Sequence, residues 1–409
     1  MTVRRVSLPK DLSLVTSIGE EETTSQPVSL VWDAVEALYR SGAHPAISLC
    51  VRHKGRVVLN RAIGHSRGND PRPRPGEVKV LATENTPFCA FSISKSITAI
   101  LIHWLDEQNF LRLDDLVVDY LPEFGKYGKH RITIRHILTH RAGLPSVAGH
   151  NDPDLLLLPG RILELLAESK PAWVPGRRQG YHAITGGFIL GAIAERVTGK
   201  DLREIITDAI TKPLGLRWFN YGVPRQDVDK VAENSLTGIA MPPGASHLVK
   251  RALGVSFERA VSLSNDPRFL ATVVPSGNVV TTASDLGKFF EMLLREGQFE
   301  GKRILDAKTV HRALAESAYL EADLTLIFPV RYGLGFMLGA NHLSLFGPDT
   351  PHAFGHYGFV NSMGWADPDR ELSVGFLTSG KPIALGLREH FLFLKAMAQV
   401  FPKEKRPQP

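Results

Sequence analysis

The order of strand-like and helix-like segments along the chain is the feature that most restricts how it can fold. Alternating apolar residues near the start predict a hairpin, 46–52 and 56–62, turned by Lys54 and Gly55. Similar short segments return only in the last third of the chain, at 332–338, 353–358, 362–366 and 372–378. The sequence therefore predicts an α+β fold (an α/β sandwich), with one antiparallel sheet built from both chain ends and flanked by helices.

Helical periodicity covers much of the rest. It predicts helices at 28–39, 132–139, 160–168, 184–197, 202–210, 284–296 (with Ser284 as N-cap) and 385–400. Residues 216–270 show no readable pattern. We divide the chain into a sheet domain, 1–85 with 271–409, and a mostly helical inserted domain, 86–270.

Composition excludes several classes of protein. The chain has 409 residues, 43% of them hydrophobic and 22% charged, enough to bury a large core. No apolar stretch reaches 18 residues, and the N-terminus lacks the apolar segment of a secretory signal, so we expect a cytoplasmic protein with no membrane partner. Cys50 and Cys89 are expected to be buried free thiols. The dispersed net charge of +6 indicates no nucleic-acid partner.

The stretch that begins at Phe91 carries the first candidate for chemistry. Apolar residues from Ile93 onward follow one helix face, and at about 100° per residue Ser92 and Lys95 lie roughly 60° apart on the other side. A lysine whose pKa is lowered by burial or by nearby positive charge can take the proton of a serine hydroxyl, which makes a nucleophile. By itself the pattern is more often a helix cap followed by a solvated lysine.

Two further segments could complete such a site. Tyr181 precedes a predicted helix, where a phenol can face a cleft, and a neighbouring Lys95 would favour its phenolate form, a general base. On a predicted strand, Gly358 would let the backbone approach a ligand closely, and the N–H that follows it can polarise a carbonyl oxygen. Taken singly, Tyr181 is better explained as a half-buried tyrosine whose hydroxyl binds the backbone, and Gly358 also fits an ordinary strand glycine beside a turn.

In this order and spacing the segments resemble the motifs of the serine β-lactamase and penicillin-binding-protein superfamily. The likeness is nearest to the class C β-lactamase-related branch, which includes the family VIII carboxylesterases, and it spans roughly residues 30–400. The motifs are Ser-x-x-Lys at 92–95, a tyrosine motif at 181–183 and His-x-Gly at 356–358. Supporting signatures lie at 113–115, 132–145, 175–176, 275–277, 281–286, 332–336 and 364–368.

The resemblance implies a β-lactamase/penicillin-binding-protein-like fold with the site in a groove, and chemistry that needs no cofactor or metal. It implies Ser92 as the acylated nucleophile, Lys95 as its proton partner and Tyr181 as the base. The oxyanion hole would consist of the backbone N–H groups of Ser92 and Phe359. The substrate site would be lined by His356, Tyr357 and Gly358.

Two positions differ from the family pattern. Ala183 stands where the family often has Asn or Ser, and His356 stands where penicillin-recognising members carry Lys. A histidine is largely neutral at pH 7, so it offers no permanent cation to a substrate carboxylate. Both differences favour neutral esters over β-lactams and cell-wall peptides.

We therefore expect a serine hydrolase that cleaves small carboxylic esters through an acyl-enzyme on Ser92. Three alternatives stay open: an acyltransferase that uses the same acyl-enzyme, a β-lactamase or D-amino-acid peptidase with weak β-lactam turnover, and a non-catalytic scaffold. The sequence also leaves open whether the chain forms a homo-oligomer. The histidine pairs His136/His140 and His352/His356 lack the glutamate of a zinc motif and predict no metal site.

Overall fold

The fold comes from a computed structural model, which describes residues 3–147, 152–242, 244, 246, 249–250, 254–327, 329–342 and 344–404. The strands are β1 (Thr16–Ile18), β2 (Ala46–His53), β3 (Arg56–Arg67), β4 (Val80–Leu81), β5 (Phe88–Cys89), β6 (Phe219–Tyr221), β7 (Ser235–Gly238), β8 (Val279–Thr281), β9 (Gln298–Phe299), β10 (Lys302–Arg303), β11 (Ala318–Ala322), β12 (Pro329–Tyr332), β13 (Met337–Leu338), β14 (Phe354–Tyr357), β15 (Met363–Asp367), β16 (Leu372–Thr378) and β17 (Gly380–Ile383).

The α-helices are α1 (Ser29–Arg40), α2 (Ser94–Glu107), α3 (Val117–Tyr120), α4 (Ile134–Leu138), α5 (Pro159–Glu168), α6 (Thr185–Thr198), α7 (Leu202–Ile206), α8 (Phe257–Leu263), α9 (Pro267–Ala271), α10 (Ala283–Leu294), α11 (Ala307–Leu314) and α12 (Leu387–Val400). A π-helical turn, Thr207–Thr211, extends α7. Segments of 3₁₀ helix lie at Leu12–Val15, Phe91–Ile93, Pro122–Arg131, Pro153–Leu157 and Arg225–Lys230.

The largest sheet joins the two ends of the chain. Its strand order is β1-β3-β2-β16-β15-β14-β13-β12-β11, with β4 beside β3, and neighbouring strands run antiparallel. The two ends meet where β2 pairs with β16 and Cys50 lies opposite Gly375. This sheet confirms the predicted α+β fold with an antiparallel sheet built from both chain ends.

Alternation along β2 directs its side chains into two separate cores. Ile47, Leu49 and Val51 pack in the cluster that also contains residues of α1 and α12. Cys50 belongs to the other cluster, with residues of α2, α6 and α10. Since neighbouring side chains of a strand point to opposite faces, the helices cover both sides of the sheet. As predicted, Cys50 and Cys89 are buried free thiols.

Two of the predicted elements differ from the structure in an informative way. The N-cap of α10 is Thr282, whose side chain accepts from the Asp285 N–H, rather than Ser284. The strand predicted at 332–338 is interrupted between β12 and β13. The chain turns there at Gly335, with φ at +103°, a conformation that favours glycine. The turn also lies directly against Ala99 of α2, where a Cβ on residue 335 would clash.

Residues 216–270 contain short elements that the sequence pattern did not show. The strands β6 and β7 have three and four residues, too few for alternation to be recognised. Both depend on distant partners, since β6 pairs with β8 and β7 pairs in parallel with β17. Sheet pairing therefore links the predicted 86–270 domain to the remainder of the chain, and the domain division stays a prediction.

Helix length bears on membrane insertion. The longest α-helices in the described part of the chain, α2, α6 and α12, have 14 residues each. A helix needs roughly 20 apolar residues to cross a bilayer. No helix among the described residues meets this requirement.

Candidate active site

Ser92 and Lys95 form the centre of the candidate site. Ser92 lies in the 3₁₀ turn that leads into α2, and Lys95 lies in the first turn of that helix. The Lys95 Nζ atom donates to Ser92 Oγ over 2.9 Å and to the carbonyl oxygen of Ser276 over 3.0 Å. Burial lowers the pKa of Lys95 well below its usual value. The lysine is thus placed and tuned to act as a base toward the serine hydroxyl.

Ser276 is a site residue that sequence reasoning did not assign. Its carbonyl oxygen holds the Lys95 amine in position, and its hydroxyl donates to the carbonyl oxygen of Ile184 and accepts from the Gly187 N–H of α6. The segment 275–277 was recognised only as a supporting signature. A backbone acceptor leaves no trace in residue type, so the sequence offered no stronger signal.

The end of β14 lies directly against the turn that carries the nucleophile. A Cβ on Gly358 would lie 2.7 Å from the carbonyl oxygen of Ala90, so glycine is needed for this approach. The approach brings the Phe359 ring to 5.4 Å from the Phe91 ring, measured between centroids. Ser92 and Phe359, the residues predicted to form the oxyanion hole, consequently line one pocket.

Tyr181 lies in an irregular segment just before α6. Its ring centroid is 4.9 Å from the Lys95 Nζ atom. Burial and the negative charge of Asp323 raise the pKa of Tyr181, although a hydrogen bond with Ser92 acts in the opposite direction. The expected phenolate is therefore disfavoured, because the cost of burying a charged phenol outweighs the help from its neighbours. Burial therefore disfavours the charged form of both groups, the ammonium of Lys95 and the phenolate of Tyr181.

His356 enters the same site from β14. Its ring centroid lies 6.2 Å from that of Tyr181, and its Nδ1–H donates to the carbonyl oxygen of Tyr357 over 2.7 Å. Burial, assisted by the charge of Lys95, lowers the pKa of His356 to about 3. The imidazole is therefore neutral, with Nε2 as an acceptor, and adds no positive charge to the site.

The Tyr357 side chain lies on the opposite side of the sheet from the site. Its hydroxyl donates to the carbonyl oxygen of Leu345 over 2.7 Å, and its ring lies beside those of Phe346 and His390. Neighbouring side chains on a strand point to opposite faces, so the inward position of His356 forces this result. Any contribution of Tyr357 to a substrate site is limited to its main chain.

The other histidines from the sequence analysis have structural partners. His140 stacks on His182 at 5.6 Å between centroids and accepts from the His182 N–H through Nδ1. Burial lowers the pKa of both rings, so they are neutral. His136 belongs to the N-terminal capping box of α4, and His352 pairs with Asp369. Within the described ranges no group of His, Cys, Asp and Glu could hold a metal ion.

An apolar pocket opens from Ser92. Its volume is about 600 Å³ including the mouth, and Lys95, Tyr181 and His356 are not among the residues that line it. The lining residues that the structure describes include no charged side chain. Its apolar lining residues include Leu156, Ile184, Leu263, Phe269, Val274 and Phe359.

Known proteins share this fold and its sequence pattern. A family model described as Beta-lactamase matches residues 31–393. The "Esterase/beta-lactamase LipL" of Mycobacterium tuberculosis is 28% identical over 318 residues, which cover 74% of this chain and 72% of that protein. A penicillin-binding-protein homologue from Caulobacter crescentus superposes with a TM-score of 0.77 at 25% identity, covering 92% of this chain and 99% of its own.

A solved family VIII carboxylesterase has a TM-score of 0.78 at 24% identity, covering 93% of this chain and all of its own, a likeness of fold. The resemblance inferred from the motifs is thus confirmed over most of the chain. The chain belongs to the Beta-lactamase family, and it is a serine hydrolase of that family.

Proposed function

We propose that this protein hydrolyses small, uncharged carboxylic esters with an apolar acyl group, through an acyl-enzyme on Ser92. The observation that carries the proposal is the 2.9 Å contact between Ser92 Oγ and the amine of the buried Lys95. A buried lysine with a lowered pKa can accept a proton at neutral pH, which a solvated lysine cannot do.

In the acylation step, Ser92 Oγ attacks the ester carbonyl carbon while its proton passes to Lys95 Nζ. The backbone N–H groups of Ser92 and Phe359 stabilise the negative charge that develops on the carbonyl oxygen. When the tetrahedral intermediate collapses, the bond to the alcohol oxygen breaks and that oxygen takes a proton from Lys95, either directly or through Tyr181, which then takes the Lys95 proton in turn. The alcohol leaves, and the acyl group remains bonded to Ser92 Oγ.

Deacylation repeats the same sequence with water as the nucleophile. Neutral Lys95 accepts the water proton, and as the acid is released that proton passes to Ser92 Oγ, either directly or by a relay in which Tyr181 gives its proton to Ser92 Oγ and takes one from Lys95. Because the lysine begins and ends neutral and the tyrosine begins and ends protonated, the cycle is balanced without a cofactor. The buried position of both groups supports this exchange, since it disfavours their charged forms.

The two halves of the ester can be assigned to different sides of Ser92. The leaving alcohol must lie beside the groups that protonate it, so it belongs on the side of Lys95 and Tyr181. The apolar pocket is lined by neither of them and therefore suits the acyl chain. With Leu263 and Phe269 in its wall and no charged lining residue among those described, it favours uncharged hydrocarbon acyl groups.

Two observations support esters over β-lactams. His356 is neutral and gives no fixed cation for a β-lactam carboxylate, and Ala183 carries no amide to bind an acylamino side chain. The name of the mycobacterial relative joins esterase with β-lactamase, so weak β-lactam turnover is a reasonable side activity to measure. Nitrocefin hydrolysis should be far slower than hydrolysis of a butyrate ester.

The test is intact-protein mass spectrometry with a fluorophosphonate, beside kinetics with p-nitrophenyl butyrate. We expect one adduct, located on Ser92, and ester turnover that disappears in Ser92→Ala. A folded wild-type protein with neither adduct nor turnover would overturn the proposal and favour a non-catalytic scaffold. Adding an acceptor alcohol separates the two acyl-enzyme functions, since a transferase would form a new ester and a hydrolase only free acid.

A further inference from the structure

The short segment that presents Tyr181 has no helix or strand to hold it. Gly180 N–H donates to the carbonyl oxygen of His140 over 3.0 Å, and His182 N–H donates to the Nδ1 atom of His140 over 3.2 Å. Between these two contacts, the Tyr181 N–H donates to Asp323 Oδ1 over 3.0 Å. A carboxylate from a distant part of the chain thus provides the anchor at the catalytic residue itself.

The Asp323 carboxylate is held in position by hydrogen bonds within its own loop. It follows β11, and its Oδ1 atom also accepts the N–H groups of Thr325 and Leu326, over 2.8 and 2.9 Å. These two bonds fix the carboxylate in its own loop before it meets Tyr181. The loop is joined to the tyrosine segment a second time, because Leu324 N–H donates to the carbonyl oxygen of Gln179 over 3.1 Å.

The burial of the Asp323 carboxylate strengthens its hydrogen bond with the Tyr181 N–H, and loss of that bond would be destabilising. Asp323 is 1% exposed and Tyr181 is 7% exposed. Hydrogen bonds to an ionised acceptor are about twice as strong as neutral ones, and they gain further in a dry environment. Removing the acceptor would leave three N–H groups without a partner, which the surrounding structure can relieve only by moving the loop.

We propose that Asp323 is a positioning residue of the active site, which fixes the main chain at Tyr181 and thereby holds the phenol beside Ser92 and Lys95. The proposal rests on the ester-hydrolase function, because it assigns Tyr181 a part in proton transfer. Asp323 lies between β11 and β12 at the edge of the large sheet, whereas Tyr181 precedes α6. The sheet edge therefore takes part in aligning a residue of the helical region.

Two substitutions of Asp323 distinguish the effect of losing its hydrogen-bond acceptor from the effect of a general loss of stability. Asp323→Asn keeps an oxygen that can accept the three N–H groups, and Asp323→Ala removes it. Asp285→Ala is the matched control, because Asp285 is also buried and accepts backbone N–H groups, from Arg217 and Trp218, but has no contact with Tyr181. All variants are compared at a temperature where each is folded, with rates normalised to the fraction of Ser92 that a fluorophosphonate finally labels.

We expect Asp323→Ala to lower kcat for p-nitrophenyl butyrate about 30-fold or more while KM changes less than threefold, and to slow labelling of Ser92 to a similar extent. Asp323→Asn should recover most of that loss, to within about fivefold of wild type. Asp285→Ala should unfold at a lower temperature yet keep kcat within threefold.

Wild-type kcat in folded Asp323→Ala would overturn the proposal, as would an equal loss in Asp323→Asn. The rate of Ser92 labelling distinguishes failure of the positioning role of Asp323 from failure of the ester-hydrolase function. If wild type is labelled at Ser92 but does not cleave the ester, the ester function fails, and the labelling rates of the Asp323 variants still decide the positioning role.

Discussion

The amine of Lys95 lies 2.9 Å from the hydroxyl oxygen of Ser92, and it also donates to the carbonyl oxygen of Ser276 over 3.0 Å. Lys95→Arg should lower kcat/KM about 10³-fold, because a guanidinium stays protonated and cannot accept the serine proton. In wild type, activity should fall as the pH drops through the lowered pKa of Lys95, and it should persist well below the usual lysine range.

A pH–rate profile of kcat/KM for p-nitrophenyl butyrate measures both effects. Lys10→Arg, at an exposed position, is the control and should match wild type at every pH. Retention of most activity in Lys95→Arg would show that another group takes the proton.

A second lysine, Lys381, is fully buried on β17, with its Nζ 4.7 Å from the centre of the Phe91 ring and donating to the Thr378 carbonyl oxygen. Burial lowers its pKa to about 7, from 10.5. Between these values the unfolded chain binds more protons than the folded one, so this group makes the protein more stable as the pH rises. From pH 7 to pH 9 the gain should be about 2 kcal/mol.

Urea unfolding of wild type and Lys381→Met at pH 6, 7.5 and 9 measures this contribution. The methionine variant should gain relative stability at pH 6 and lose that advantage by pH 9. The comparison between the two proteins cancels other titrating groups, including Lys95. Parallel pH dependences for the two proteins would mean that Lys381 remains charged when folded.

Gly358→Ala tests the close approach of β14 to the nucleophile. The new Cβ would lie 2.7 Å from the Ala90 carbonyl oxygen, so the strand must move away and carry the Phe359 N–H with it. Loss of one oxyanion donor costs about 10²–10³ in kcat, and a partial displacement should cost about 10- to 100-fold. Gly160→Ala, where no atom lies within 4 Å of the added Cβ, should leave kcat unchanged.

Steady-state kinetics with the butyrate ester, beside thermal unfolding, would separate a displaced donor from a loss of fold. A folded Gly358→Ala enzyme with wild-type kcat would argue against the Phe359 N–H as part of the oxyanion hole.

Leu263→Trp tests which half of the ester occupies the apolar pocket. The larger side chain fills space in the wall of the pocket, so kcat/KM should fall about tenfold or more for p-nitrophenyl octanoate and change little for the acetate. A parallel series of butyrate esters with larger alcohols should be unaffected. Val78→Trp, at a position 76% exposed, is the control. Sensitivity to the alcohol instead of the acyl chain would reverse the assignment.

The Ser92–Lys95 pair and the longer strands of the large sheet could be predicted because they depend on local sequence patterns. Ser92 and Lys95 stand one helical turn apart, and the apolar period of α2 placed both at the start of a helix. The strands β2, β3 and β16 are long enough for alternation to show. The family resemblance then supplied the partners from distant parts of the chain, which periodicity cannot connect.

The rest depended on burial and on contacts between distant residues. Burial disfavours the phenolate expected at Tyr181, and a sequence does not show how completely a phenol is desolvated. Tyr357 was assigned to the site with its neighbours, although the period of two in a strand already required His356 and Tyr357 to face opposite ways. Asp323 sits in a loop, where aspartate is common, and only the fold reveals its contact with Tyr181.

The pairing of β2 with β16 also determines the order in which a newly made chain can complete its large sheet. Ser92 and Lys95 are synthesised before β16, the strand that joins β2 to β15 in the large sheet. His356 and Phe359 also follow Ser92 and Lys95 in the chain, so a growing chain contains the serine and the lysine before it contains the proposed Phe359 oxyanion donor. Pairing between strands so far apart in sequence is intrinsically slow, so we expect the large sheet to close after the local helices have formed.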